Sequence, residues 1–310
     1  PSKKVLRRLL RTAARLGASQ ITLTAGEGIG EMEEIASVSR YYGFENWWSY
    51  LRGMCSVILQ TRSPRVLMPV LNVGILPISE LRYTREVVPV VRLMIDSGDE
   101  KLMETMVHGL APQKDPARRL AALEELGRWK IPVTTGIKVG IGETPESWLR
   151  TAKVVSGLHR RHGHIQNFVI EPFVPLLYSP MALHAPTPDG TLIRAVRDIR
   201  HVLAPEIPIT VELQDRLHLA AAAIRAGASD FGALRVGSSE RIEFDVMAAL
   251  EDARQSLAGY GVQLKERNAL MDSFAHGRTL PRAIWESLVL YEQTRPQPDL
   301  ATAFRTHACG

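Results

Sequence analysis

Cysteine is nearly missing from this chain: Cys55 and Cys309 are the two among 310 residues. Two thiols build neither a disulfide framework nor a cysteine-only metal site, so the composition fits a reducing compartment, the cytoplasm. Long apolar runs are missing as well, and none reaches the roughly 18 residues of a membrane span. The opening residues, Pro1 to Arg15, lack the charged, apolar, small-residue order of a secretory signal. Also absent are a Gly-x-Ser-x-Gly turn, a phosphate-loop motif and a His-Glu-x-x-His helix. There is no block of one charge either. The net charge of +5 is spread among helices. Arg7, Arg8, Arg11 and Arg15 share one helical segment and read as its solvated face, so neither nucleic acid nor membrane is an expected partner.

What is present is an ordinary globular composition, 45% hydrophobic and 23% charged, in a length that suits one (β/α) barrel of about 250 residues with additions. Thr135-Gly-Ile-Lys-Val-Gly-Ile-Gly-Glu-Thr144 is the most informative stretch. A β-branched, apolar run from Ile131 ends in glycines backed by one carboxylate, which reads as a buried strand entering a tight turn. Gly140 and Gly142 would let the backbone approach a flat or anionic ligand closely, and a plain strand-to-helix turn fits them equally well.

Strand candidates recur along the chain at residues 20–24, 66–72, 90–96, 131–141, 168–173, 207–213 and, weakly, 231–236, each followed by helix or helix-like sequence. Such alternation calls for parallel strands, because a parallel pair needs a long crossover. Residues 1–265 are expected to form the barrel and 266–310 a C-terminal helix and tail. The chain starts with Pro1, and its first element, Lys3 to Gly17, is already helical, so an eighth, closing strand is expected upstream.

On a parallel barrel the ligand face lies at the carboxyl ends of the strands. There stand Gly26 and Glu27, Asn72, Asp96 and Ser97, Gly140 to Glu143, Glu171, and Glu212 to Asp215. This acidic rim suits a cationic or hydroxyl-rich ligand or a metal. Asp and Glu also cap helices, so capping alone would explain several of them. His159, His162 and His164 are spaced as a zinc site could be, but Arg160, Arg161 and Gly163 favour a solvated helix end. Cys55, on an apolar helical face, reads as a core residue.

Six motifs in order carry a resemblance: Ala25-Gly-Glu27, Met94-Ile-Asp-Ser97, Lys114-Asp-Pro-Ala-Arg-Arg-Leu120, Ile131-Pro-Val-Thr-Thr-Gly136, Val139-Gly-Ile-Gly-Glu-Thr144 and His162-Gly-His-Ile-Gln166. From about residue 5 to Arg267 the chain resembles the CofG family of radical S-adenosylmethionine (SAM) proteins, one subunit type of FO synthase. The resemblance implies a radical SAM (β/α) barrel. It also implies two cofactors, S-adenosylmethionine and a [4Fe-4S] cluster, which generate a 5′-deoxyadenosyl radical for synthesis of a deazaflavin chromophore. Gly26 and Glu27 match the Gly-Glu that receives the cofactor's ammonium. Asp96 with Ser97 stands where the family places a Glu near the ribose, and Gly140, Gly142 and Glu143 match the adenine-supporting turn. No residue is assigned to the catalytic chemistry, and no metal ligand is assigned within the chain.

Departures from the family are equally plain. Its Cys-x-x-x-Cys-x-x-Cys, which supplies three thiolates, is expected before Lys3, with the first strand. Glu171-Pro-Phe-Val-Pro-Leu176 replaces Gln-Asn-Phe-Arg-Ala-Lys on the presumed substrate face. The expected partners are a small-molecule substrate and a second radical SAM subunit of the CofH type. A paralogue with another substrate and a non-catalytic barrel serving as a scaffold are the alternatives.

Overall fold

The structure, a computed structural model, describes residues 1–62, 64–232, 246–275 and 280–294. Six parallel strands form one sheet in sequence order: β1 (Gln20–Thr24), β2 (Met68–Asn72), β3 (Val90–Arg92), β4 (Val133–Val139), β5 (Ile165–Pro172) and β6 (Ile209–Val211). Helix α1 (Lys3–Arg15) precedes β1, and α2 (Glu33–Tyr41) and α3 (Trp47–Leu59) lead to β2. Single helices make the next four crossovers: α4 (Ile78–Arg85), α5 (Pro116–Arg128), α6 (Pro145–His162) and α7 (Asp189–Arg200). After β6 come α8 (Ala220–Arg225), α9 (Val246–Ala258) and α10 (Arg282–Thr294). The expected alternation is therefore present, because each crossover returns the chain to the same end of the sheet, where the next parallel strand begins.

Local chemistry sets the helix bounds. Asp115 caps α5, its carboxylate accepting from the N–H groups of Ala117 and Arg118 at 2.7 and 3.2 Å, with Pro116 in the first turn. Thr144 and Pro145 open α6 in the same way, and Gly163 at φ 65° ends it in the left-handed region.

Alternation along the strands sorts side chains to two faces. Leu67, Leu71, Val91, Val133, Ile137, Phe168, Ile170, Ile209 and Val211 pack with the helices in the main core. The other face looks into the barrel. Low in it, Thr134, Asn167, Thr210 and Asp230 form a chain of hydrogen bonds of 2.7 Å each, and Arg267 closes it on Asp230. The segment after Lys265, expected as helix and tail, begins by sealing this floor. The Ala269 carbonyl accepts from Gln166 at 3.1 Å, while Ala269, Leu270, Ile284 and Leu288 cover Met68, Val70 and Val90.

Two strand expectations change. The run from Val90 to Asp96 is regular only through Arg92, because Asp96 takes φ 63° and keeps a single bridge to Ile137. The weak strand near 231–236 is represented by one bridge between Thr210 and Asp230, and residues 233–236 lie outside the described residues.

Candidate active site

The ends of β1 and β3 bring Glu27 and Asp96 to one corner of the barrel mouth. The Ala25 N–H extends the first ladder by donating to the Asn72 carbonyl at 3.2 Å, so the Gly26–Glu27 turn begins level with the end of β2. Beside it lies Arg119 of α5, 2% exposed. Its guanidinium donates to the Gln113 carbonyl at 2.8 Å, to the Met94 carbonyl at 2.7 Å and to Glu27 Oε1. That carboxylate oxygen is also 3.4 Å from Lys114 Nζ, and Lys114 donates to Asp96 Oδ2. Two carboxylates thus face two cations, and this pairing is what makes their burial tolerable. Desolvation brings the Arg119 guanidinium down to about 10, which leaves it cationic near neutral pH.

Glu27 Oε2 is buried and has no partner among the described residues. Gly74, at φ 81°, forms one wall of its cradle: a Cβ there would come within 2.8 Å of Glu27 Cγ and 3.2 Å of Oε2. Leaving a buried carboxylate oxygen unpaired costs on the order of 1–3 kcal/mol. The cradle fits a ligand that brings a donor, and an ammonium matches the charge.

Asp96 is held in its left-handed conformation by its own backbone. Its N–H donates to the Gly136 carbonyl at 3.2 Å, and its carbonyl accepts from Lys138 N–H at 2.7 Å. Ser97 turns the other way, its hydroxyl oxygen accepting from Asp99 N–H at 3.0 Å within its own loop. Gly140 and Gly142 have φ of 89° and 102°, as the glycine turn requires. The Glu143 carboxylate folds back over that turn, accepting from the N–H groups of Gly140 and Ile141 and from Trp148 Nε1, each at 2.8 Å. Its role in the structure is to hold the turn closed, and what the turn presents outward is backbone.

A second charged layer points into the barrel from β3 to β6. Arg92 reaches Glu171 at 3.3 Å and Glu212 at 2.7 Å, and Lys138 reaches Glu171 at 2.8 Å. Sequence reading placed Glu171 and Glu212 on the rim but missed Arg92 and Lys138, as it missed the pairing roles of Lys114 and Arg119. A signal existed: Arg92 and Lys138 are lone charges on otherwise uncharged strands.

At the opposite end of the sheet the three histidines depart from the solvated helix end expected for them. His164 is 2% exposed, its Nε2 2.9 Å from the Leu123 carbonyl, and burial lowers its pKa to about 4. His162 Nε2 meets Glu124 at 2.7 Å. The reason is packing: α5 and α6 lie against each other, and a Cβ on Gly127 would strike the rings of both His162 and His164. Cys55 is fully buried in the core, as its spacing implied, and burial pushes its thiol up to about 12. Cys309 lies outside the described residues. Two cysteines in the whole chain do not supply the three thiolates of a [4Fe-4S] site, and among the described residues no trio of His, Cys, Asp or Glu could hold a metal. The residues present therefore fit a ligand with an ammonium group at Glu27 and do not fit the cluster.

No family model matches the chain. Among solved structures it is similar to the crystal structure of HydG, a maturase of the [FeFe]-hydrogenase. The TM-score is 0.69 at 14% identity, covering 94% of this chain and 62% of that one. It is also similar to methylornithine synthase, PylB, with a TM-score of 0.59 at 14% identity over 83% of this chain and 73% of that one. At this identity the likeness carries the fold alone, a parallel (β/α) barrel. Sequence relatives narrow the class. The 7,8-didemethyl-8-hydroxy-5-deazariboflavin synthase of Methanococcus aeolicus is 27% identical over 289 residues, 93% of this chain and 80% of that protein. The synthase of Methanococcoides burtonii is 31% identical over 235 residues, 75% of this chain and 68% of that protein. The chain belongs to the 7,8-didemethyl-8-hydroxy-5-deazariboflavin synthase family.

Proposed function

We propose that this chain is the S-adenosylmethionine-binding, substrate-enclosing barrel of a radical enzyme in deazaflavin biosynthesis, acting in the cytoplasm. The observation that carries the reading is the unpartnered Glu27 Oε2 at the strand ends, oriented by Arg119 and Lys114 and backed by Gly74. When bound there, S-adenosylmethionine supplies the sulfonium chemistry of this class. Glu27 holds the ammonium end, Asp96 stands where ribose hydroxyls are expected, and the Gly140–Gly142 backbone supports the flat base. Arg119 pairs with Glu27 and aims it. No step is assigned to a cluster, because the chain's own residues do not build one.

The paired charges Arg92, Lys138, Glu171 and Glu212 line the barrel interior beyond that corner, where a small-molecule substrate would lie. Glu171 in place of the family's Gln favours, as a second reading, a paralogue whose substrate differs in charge. A second subunit of the CofH type is the partner that the first reading calls for.

Calorimetric titration with S-adenosylmethionine tests the site on the 310-residue chain itself. Glu27→Gln keeps the size and removes the charge. Loss of a charge-assisted contact worth roughly 1.5–3 kcal/mol lowers affinity about tenfold to a hundredfold. Glu31→Gln, on an exposed turn nearby, leaves it unchanged. Equal affinities for wild type and Glu27→Gln, or no binding to wild type, would reject the assignment.

A further inference from the structure

His108 has no part in the cofactor contacts described above, yet its place is unusual. It lies on the segment between β3 and α5 and is 8% exposed, and its Nε2 is buried with no partner among the described residues. The segment is fixed on both sides of it. Val107 packs on the small apolar cluster of Leu102, Ile141, Phe173 and Met181, which roofs the carboxyl end of β4 and β5. Gly109 donates to the Thr105 carbonyl at 2.8 Å, and a Cβ on it would strike that same carbonyl oxygen at 2.6 Å. Neighbouring charges act on the ring from three elements: Asp96 after β3, Lys114 before α5 and Lys138 on β4. Asp96 and Lys114 belong to the Glu27 corner and Lys138 to the interior charged layer, so His108 is within electrostatic reach of both.

A neutral imidazole bonded through one nitrogen presents the other as a lone-pair acceptor. Buried and unpaired, that acceptor is costly unless a ligand supplies a donor. Desolvation outweighs the Asp96 field and lowers the His108 pKa, so the ring is neutral near pH 7 and Nε2 accepts. The relatives' product carries a hydroxyl, and an aryl hydroxyl is a strong hydrogen-bond donor. We propose that His108 Nε2 receives the hydrogen bond of the ligand's aryl hydroxyl and so selects a hydroxylated ring. This deepens the deazaflavin reading and rests on it.

Two ligands and one variant test the proposal without turnover. The probes are 7,8-didemethyl-8-hydroxy-5-deazariboflavin and a 5-deazariboflavin lacking the 8-hydroxyl, titrated by fluorescence against wild type and His108→Ala. The hydroxylated ligand is expected to bind wild type more tightly, and His108→Ala to lose about tenfold for that ligand alone. S-adenosylmethionine affinity, measured in parallel, stays the same and reports that the variant is folded. An equal loss for both deazaflavins would make His108 structural and overturn the proposal, and a loss confined to S-adenosylmethionine would put the residue on the cofactor side and overturn it too. If neither deazaflavin binds wild type, the substrate reading itself falls and takes the role of His108 with it.

Discussion

Both ends of this barrel bury ionisable groups, and they do so by different means. At the carboxyl end Arg119, Lys114, Glu27 and Asp96 remain charged in pairs, with one carboxylate oxygen left open. At the amino end His159, His162 and His164 gather where α6 runs into β5. An imidazole can escape the cost of burial by giving up its proton, and the lowered pKa values of His159 and His164 express that escape. A guanidinium cannot, so it must be met by acceptors. The lesson is that permanent charge obliges the fold to build a precise polar frame, and such a frame can be left one contact short for a ligand. Titratable burial builds a helix joint.

The largest effect should follow from breaking the permanent-charge end. Arg119→Met removes three hydrogen bonds and leaves the half-buried Glu27 with Lys114 alone at 3.4 Å, which costs about 3 kcal/mol. Urea denaturation should show this as a lower midpoint at an unchanged slope. A loss under about 1 kcal/mol would mean that the guanidinium is not the frame of the site.

A smaller effect belongs to the histidine end and depends on pH. Above about pH 6.5, His164 is neutral in the folded and unfolded chain alike and adds no pH dependence. Below that, the unfolded chain takes up the proton first, so stability falls until pH reaches about 4, where the folded ring binds it too. Over this window the loss from His164 is about 3 kcal/mol. Thermal melts from pH 7 to 4 should slope downward for wild type, and less so for His164→Gln. Parallel slopes would show that the ring titrates freely and that the contrast between the two ends is wrong.

The least effect is expected from Glu124→Gln. Its carboxylate is held down to about 2 by hydrogen bonds from Arg161 and His162, so its stabilisation is present above about pH 4.5 and fades as pH falls toward 2. Arg161 is half exposed and solvent screens the pair, so the melting temperature at pH 7 should move by no more than about 2 °C. A larger shift would give the amino end an ionic frame as well.

Sequence alone determined much of this protein. Strand-to-helix alternation gave a parallel barrel, Gly163 marked a helix end, and the ordered motifs pointed to the family. These are local signals, written in residues that contact their own neighbours in the chain. Only the tertiary structure decided which carboxylate is free. Glu27, Asp96 and Glu143 look alike as acidic residues after a strand, yet Glu143 is satisfied by its own turn, Asp96 by Lys114, and Glu27 on one oxygen alone. That outcome depends on Arg119, 92 residues from Glu27 along the chain, and on the width of the gap at Gly74. No periodicity records such a distance, because it is set by how five crossovers stack their helices on one sheet.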